Sequence, residues 1–303
     1  MAYRLTADET VQDGVRRCAR EQLDHAVDEL TTGVHDDPVE AVHAARKDLK
    51  KARSLLRLSR AAIDRDERRR ENKALRDAGR SLSSARDAEV MLQALDDLAD
   101  HFAGQLPQTT FDAVRRHLET ERDTARERMF ASGLPEQTAD ELKSIRGRIE
   151  DWPTRRGGWK ALEPGLLRSY KRGRKALATA RSEPTVESLH EWRKRGKDLW
   201  YHLRMLKPLS PDIVGGQANE AHTLSDLLGD DHDLAVLRGT LGRGGDGLAV
   251  DLDAVVALID RRREQLQAEA FRVGARLYAE PPKAFGRRLH SYWKVWRPAP
   301  ALT

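Results

Sequence analysis

Cysteine is almost missing from this sequence: Cys18 stands alone among 303 residues, so no internal disulfide can form and a thiolate-rich metal site is excluded. Isoleucine is scarce too, at Ile63, Ile145, Ile149, Ile213 and Ile259, and aromatics make up 5%, which removes much of the β-branched and aromatic stock that half-buried strands favour. There is no run of about 18 apolar residues and no apolar stretch in Met1–Thr10, so neither a membrane span nor a secretory signal is expected, and the protein reads as cytoplasmic. A phosphate-binding Gly-x-x-x-x-Gly-Lys-Ser/Thr loop is also lacking. The literal Gly242-x-Gly244-x-x-Gly247 match follows no strand and reads as a flexible loop.

What is abundant is Ala, Leu, Arg and Glu, the stock of helices, and the fold class expected is all-α. Periodicity and caps predict helices over 8–30, 38–60, 64–84, 86–102, 109–130 and 136–150, then over 159–180, 184–207, 212–228, 233–241, 248–278 and 282–296. Between the two series, Asp151-Trp152-Pro153-Thr154-Arg155-Arg156-Gly157-Gly158 stops any helix. The series resemble each other. Pro38 to Lys47 aligns with Thr185 to Lys194 at an offset of 147, and Leu82 to Val90 aligns with Leu228 to Val236 at 146. The expectation is one domain, 1–303, a helical bundle whose pseudo-symmetric halves (1–150 and 159–303, joined by 151–158) enclose a central basic groove or pore. Helical layers short of apolar residues bury more by facing each other.

The net charge is only +5, but its distribution is uneven: segments 43–57, 168–175 and 190–207 together carry +14, leaving −9 on the rest. Three cationic segments on an acidic body point to a polyanionic partner. At 100° per residue, His43, Arg46, Lys50, Arg53 and Arg57 form one stripe roughly 21 Å long, with Lys47 beside it. The second copy reads His190, Arg193, Lys197, Trp200 and Arg204, with Lys194 at its edge. Ala45, Leu49, Ala52 and Leu56, and Trp192, Gly196, Leu199 and Leu203, supply the core faces. Like charges at i,i+3 and i,i+4 cost a few tenths of a kcal/mol per pair. Asp48 and Asp198 lie off the stripes and are expected to give no relief, so something negative outside the helix is the natural compensation. Arg168, Lys171, Arg172 and Lys175 add a further cationic face. Arg17 and Arg20 are taken as its counterparts in the first half, where Glu21 and Asp24 interrupt the pattern. The last helix contributes Lys283, Arg287, Arg288 and His290 beside a packing pair, Trp293 and Trp296.

The doubled helix, His43-Ala44-Ala45-Arg46-Lys47-Asp48-Leu49-Lys50 and His190-Glu191-Trp192-Arg193-Lys194-Arg195-Gly196-Lys197, resembles the hallmark of the CHAD family, the conserved-histidine α-helical domain. Arg86-Asp87-Ala88-Glu89-Val90, His232-Asp233-Leu234-Ala235-Val236, Tyr170 to Lys175 and Tyr292 to Arg297 are similar as well. The resemblance implies a helical bundle whose basic faces bind inorganic polyphosphate, associated with polyphosphate granules. Some members carry a triphosphate-processing CYTH domain. Its Glu-x-Glu-x-Lys signature is absent here, which implies a free-standing binding module rather than an enzyme, with no cofactor and no metal.

Each motif histidine is expected to donate to phosphate and become charged on binding; the alternative is a neutral histidine satisfied by a neighbouring helix. Asp87 and Asp233 read as caps or braces rather than metal ligands. Asp230 to Asp233 reads as a short acidic loop before a helix. Residues 248–278, with Arg261-Arg262-Arg263, read as an exposed bundle helix able to scaffold a partner. Nucleic-acid binding competes through the same cations, although only Trp200 and Tyr201 among the stripe residues could stack on bases. A phosphate-transfer or hydrolytic enzyme is the remaining alternative.

Overall fold

Helices begin where the sequence supplies an acceptor for free backbone N–H groups. Thr10 accepts from the Asp13 amide to open α1 (Val11–Asp28). Asp37 accepts from Val39 and Glu40, with Pro38 in the first turn, to open α3 (Pro38–Leu58), and Asp64 does the same for α4 (Arg65–Ser81). A reciprocal Thr185–Ser188 capping box starts α9 (Val186–Leu206), and Asp251 caps α11 (Leu252–Leu277). The remaining elements are a π-helical turn (Glu29–Gly33) and one-turn α2 (Val34–Asp36) that continue α1, then α5 (Ser83–His101), α6 (Gln108–Ala131), α7 (Leu134–Gly147), α8 (Trp159–Ser182), α10 (Pro211–Gly244) and α12 (Pro282–Trp296). This computed structural model describes residues 3–152, 155–244 and 251–297, and those residues contain no strand. The all-α class is therefore what the chain adopts.

The largest departure from the sequence reading lies in the second half. Helices expected over 212–228 and 233–241 are one 34-residue helix, α10, and the acidic stretch Asp230 to Asp233 is helix rather than loop. Buried Asp231 explains the continuity, because it accepts from Arg263 (3.1 Å) and Gln267 (2.7 Å) of α11, which fasten the acidic turn. Asp233 consequently sits inside α10 and caps nothing; the Asp87 side chain lies outside the described residues. Gly242 and Gly244 belong to the end of α10, while Gly247 lies outside the described residues. In the first half the chain does break, at Leu82, whose carbonyl accepts from the Arg46 guanidinium at 2.8 Å. The helix expected as exposed, α11, buries Val255, Leu258, Ile259 and Leu266.

Two apolar cores result. The larger joins α1, α3, α7, α8, α9, α12 and the start of α10 around Leu49, Leu55, Tyr170, Trp192 and Phe285. The smaller joins α5 and α6 with the far half of α10 and α11 around Leu95, Phe111, Val114, Leu237 and Ile259. Each core draws on both sides of the 151–158 segment. The segment is itself tied down, since the Arg155 amide donates to the Ala62 carbonyl and Trp152 is buried.

Buried positions recur 147 residues apart. Gly14, Val15, Cys18, Ala19, Gln22, Leu23 and Ala26 of α1 match Ala161, Leu162, Gly165, Leu166, Ser169, Tyr170 and Gly173 of α8. Val42, Ala45, Leu49, Ala52 and Leu56 of α3 match Leu189, Trp192, Gly196, Leu199 and Leu203 of α9. The expected core faces of both motif helices are thus buried. The register also corrects the comparison of α1 with α8: Arg168, Lys171, Arg172 and Lys175 fall opposite Glu21, Asp24, His25 and Asp28, not opposite Arg17 and Arg20.

Candidate anion-binding surface

Helix α3 crosses α9 with backbone and side chain interlocked. His202 Nε2 donates to the Ser54 carbonyl at 3.0 Å, and Ser54 Oγ donates to the Asp198 carbonyl at 3.4 Å. Tyr3 locks the same crossing from outside by donating to the Lys51 carbonyl at 3.0 Å. Full burial pushes the His202 imidazole down to about 4, so it is neutral at physiological pH. Helix α8 closes on the end of α3 at Gly165, where a Cβ would stand 2.0 Å from the Leu58 carbonyl oxygen; only glycine permits that approach.

This crossing determines where the cationic stripes point. From α3, Arg53 reaches Asn72 of α4 at 3.5 Å and shares its field with Arg57, Arg76 and Arg80; burial first, then those cations, push it down to about 10. Arg57 reaches across to Asp198 of α9 at 2.8 Å. Asp198 therefore relieves the stripe of the other half, contrary to the sequence expectation, because relief comes through the helix crossing rather than along one helix. Asp48 is held by His25 and Lys51, each at 2.6 Å. Arg46 braces the Leu82 carbonyl, and His43 is half-buried near the start of α3. Lys47 and Lys50 are exposed.

From α9, Lys197 is pushed down to about 8 by burial and then by Arg193, with Lys47 of α3 acting on it in the same sense and Asp226 and Asp233 opposing. Cations from the two motif helices thus share one field. His190 packs against His232 of α10 with ring centroids 4.1 Å apart, and the Nδ1 atoms of both, like Arg193 Nε, are shielded from solvent without a hydrogen-bond partner among the described residues. Burial and the neighbouring cations push His190 down to about 4 and His232 to the same level. Arg193 lies over Gly229, whose missing Cβ would stand 3.3 Å from the guanidinium. Trp200 is buried between Arg204 (5.2 Å) and His222 (4.1 Å), and Tyr201 is buried beside Tyr3.

On the flank of α9, Glu191 gathers Lys194 at 2.6 Å, Arg172 at 3.6 Å and Arg195. Arg168, Lys171 and Lys175 are exposed along α8. Three expected site residues point elsewhere. Arg17 is held by Glu9 (2.7 Å) and Glu21 (3.0 Å), Arg20 pairs with Glu150, and Arg288 pairs with Glu280 (2.9 Å). Arg287 and Lys283 are exposed on α12, where His290 stacks on Trp159 at 5.5 Å. The sequence reading missed α4, whose Arg68, Asn72, Arg76 and Arg80 form an i,i+4 row facing the Arg53 stripe. The signal was present, but dense charge of both signs in Arg65 to Glu71 concealed it. Among the described residues no group of three or more His, Cys, Asp or Glu could hold a metal ion, and no helix is long and apolar enough to cross a membrane.

A family model described as the CHAD domain matches residues 17–242. No curated protein matches the chain. Among solved structures, PptA from Streptomyces chartreusis superposes with a TM-score of 0.64 at 14% identity, over 90% of this chain and 100% of that one, a likeness that speaks to the fold alone. With three quarters of the chain matched and the doubled His-x-x-Arg helices packed on each other at its centre, the protein belongs to the CHAD family.

Proposed function

We propose that this chain is a single-domain binding module for inorganic polyphosphate, its two halves forming a pseudo-symmetric bundle around a basic groove centred on the α3–α9 crossing. The observation that carries the reading is the shared field of Lys47 and Lys197, one from each half, beside Arg193 and the unpartnered nitrogens of His190 and His232. Partly buried cations that share one field gain most from a ligand with closely spaced negative charges. Arg46, Lys47, Lys50, Arg53 and Arg57 form one bank of the groove; Arg193, Lys194, Lys197 and Arg204 form the other, extended by Lys171, Arg172 and Lys175. Arginine grips two phosphoryl oxygens at once and lysine follows the register of a flexible chain. His190, uncharged in the free protein, donates to phosphate and takes up a proton as the anion arrives, and His43 donates from the opposite bank. Trp200 and Tyr201, which a single-stranded nucleic acid would need as stacking platforms, are buried, which favours a polymer without bases. The family resemblance supports the same ligand and a place at polyphosphate granules.

Isothermal titration with long-chain polyphosphate at two salt concentrations tests this. Binding is expected to weaken along a log–log line whose slope counts the phosphate contacts. Lys47→Ala with Lys197→Ala should lower affinity at least tenfold. Salt-independent binding, stronger binding to nucleic acid in competition, or an unchanged double variant would refute the proposal.

A further inference from the structure

Beyond the motif helices, three arginines from three separate elements come within one another's electrostatic field: Arg60 just past the end of α3, Arg68 in the first turns of α4, and Arg168 one turn after Gly165 on α8. The Gly165 contact with the Leu58 carbonyl fixes this meeting, since it seats the start of α8 directly on the last residues of α3. Among the described residues none of the three side chains makes a hydrogen bond or an ion pair, and Arg68 Nε is shielded from solvent without a partner. The carboxylates at the start of α4 are already engaged. Asp64 holds Arg155 and accepts from two α4 amides, Asp66 faces Arg69 at 3.8 Å, Glu67 holds Arg70, and Glu71 holds Arg148 at 2.9 Å. Burial and Arg168 both disfavour the charge on Arg60, and burial, Arg60, Arg69, Arg168 and Arg65 disfavour it on Arg68. Three guanidinium groups that repel one another and pair with no carboxylate are each stabilised by a shared anion.

We infer that Arg60, Arg68 and Arg168 form a second phosphoryl-binding site, which takes a distal segment of the same condensed-phosphate chain. The inference rests on the function proposed above. Residue 60 lies thirteen positions beyond Lys47, about 20 Å along the α3 axis, and Arg53 and Arg57 line the way between them. A tripolyphosphate fills one of the two sites at a time; a long chain fills both and gains from the linkage.

The test uses Arg60→Gln with Arg68→Gln in the full chain, and Arg168→Gln separately, titrated with tripolyphosphate and with long-chain polyphosphate. Wild type should take up two equivalents of tripolyphosphate, and each variant one, while affinity for the long chain falls about tenfold. Because the two variants alter different helices, agreement between them separates loss of the site from a local folding defect, which circular dichroism checks directly. Unchanged stoichiometry, or a lost equivalent with long-chain affinity intact, overturns the inference and leaves the central groove standing. Loss of both equivalents in the triad variants also overturns it, since the sites would not be separate. Should Lys47→Ala with Lys197→Ala leave both equivalents and the long-chain affinity untouched, the groove reading itself fails.

Discussion

Helices α1 and α8 bury matching positions and carry opposite charge. From Gly14 to Ala26 each buried residue of α1 has its buried counterpart in α8, yet Glu21, Asp24, His25 and Asp28 on the outward face of one stand where Arg168, Lys171, Arg172 and Lys175 stand on the other. The inward pattern specifies where a helix docks, because a slip would move polar groups into the core. The outward charges carry little folding free energy, since exposed pairs contribute about 0–1 kcal/mol, and are free to follow the ligand. On the proposed function, the two helices separate what builds the bundle from what binds.

The sharpest way to break this comparison is to give α8 the charges of α1. Arg168→Glu, Lys171→Glu, Arg172→Glu and Lys175→Glu together should cost at least about a hundredfold in polyphosphate affinity and flatten the salt slope by about 2–3, with the urea midpoint little moved. Next comes a matched pair with contrasting neighbours, Cys18 and Gly165. Gly165→Ala forces a Cβ against the Leu58 carbonyl and should destabilise by about 2 kcal/mol in urea unfolding, whereas Cys18→Ala, which deletes one weak contact to the Arg4 carbonyl, should cost less.

A third experiment turns on Lys197. Its free-state value near 8 means the ammonium begins to lose its proton just above neutrality, and a bound phosphate must raise that value. Affinity is therefore full below about pH 7 and declines as pH rises through 8, by at most tenfold per pH unit. Lys197→Arg should abolish the decline while keeping the charge. The smallest effect runs opposite to the first: Asp24→Lys with Asp28→Lys should raise affinity a few-fold, less than the α8 charges contribute, because Asp24 also anchors Arg146 at 2.9 Å and its loss leaves that cation unpaired.

Much of this was legible in the sequence, for identifiable reasons. Pro38 after Asp37, Pro282 and Trp159 after paired glycines mark helix starts that local chemistry alone decides. The core faces of α3 and α9 follow from spacing. What escaped was tertiary. Nothing local in Gly229 to His232 says that α11 will hold Asp231 in a continuous helix, nor that Asp198 will serve an arginine 141 residues away. Arg60 and Arg68 read as ordinary members of a mixed-charge run until α8 seats on the end of α3 and brings Arg168 into their field. The apparent likeness of Arg17 and Arg20 to the α8 cations misled because charge was matched before burial.

The link between Arg57 and Asp198 has a consequence for selectivity. Asp198 is an anion the protein carries with it, a placeholder seated where an incoming oxyanion would sit. A free orthophosphate ion meets that resident competitor at the ordinary concentration of the solution and gains little by displacing it. A segment already tethered at Lys47 and Lys197 arrives at a far higher effective concentration and can evict the carboxylate. In the groove proposed above, an internal rival of this kind would favour a long chain over the free monomer.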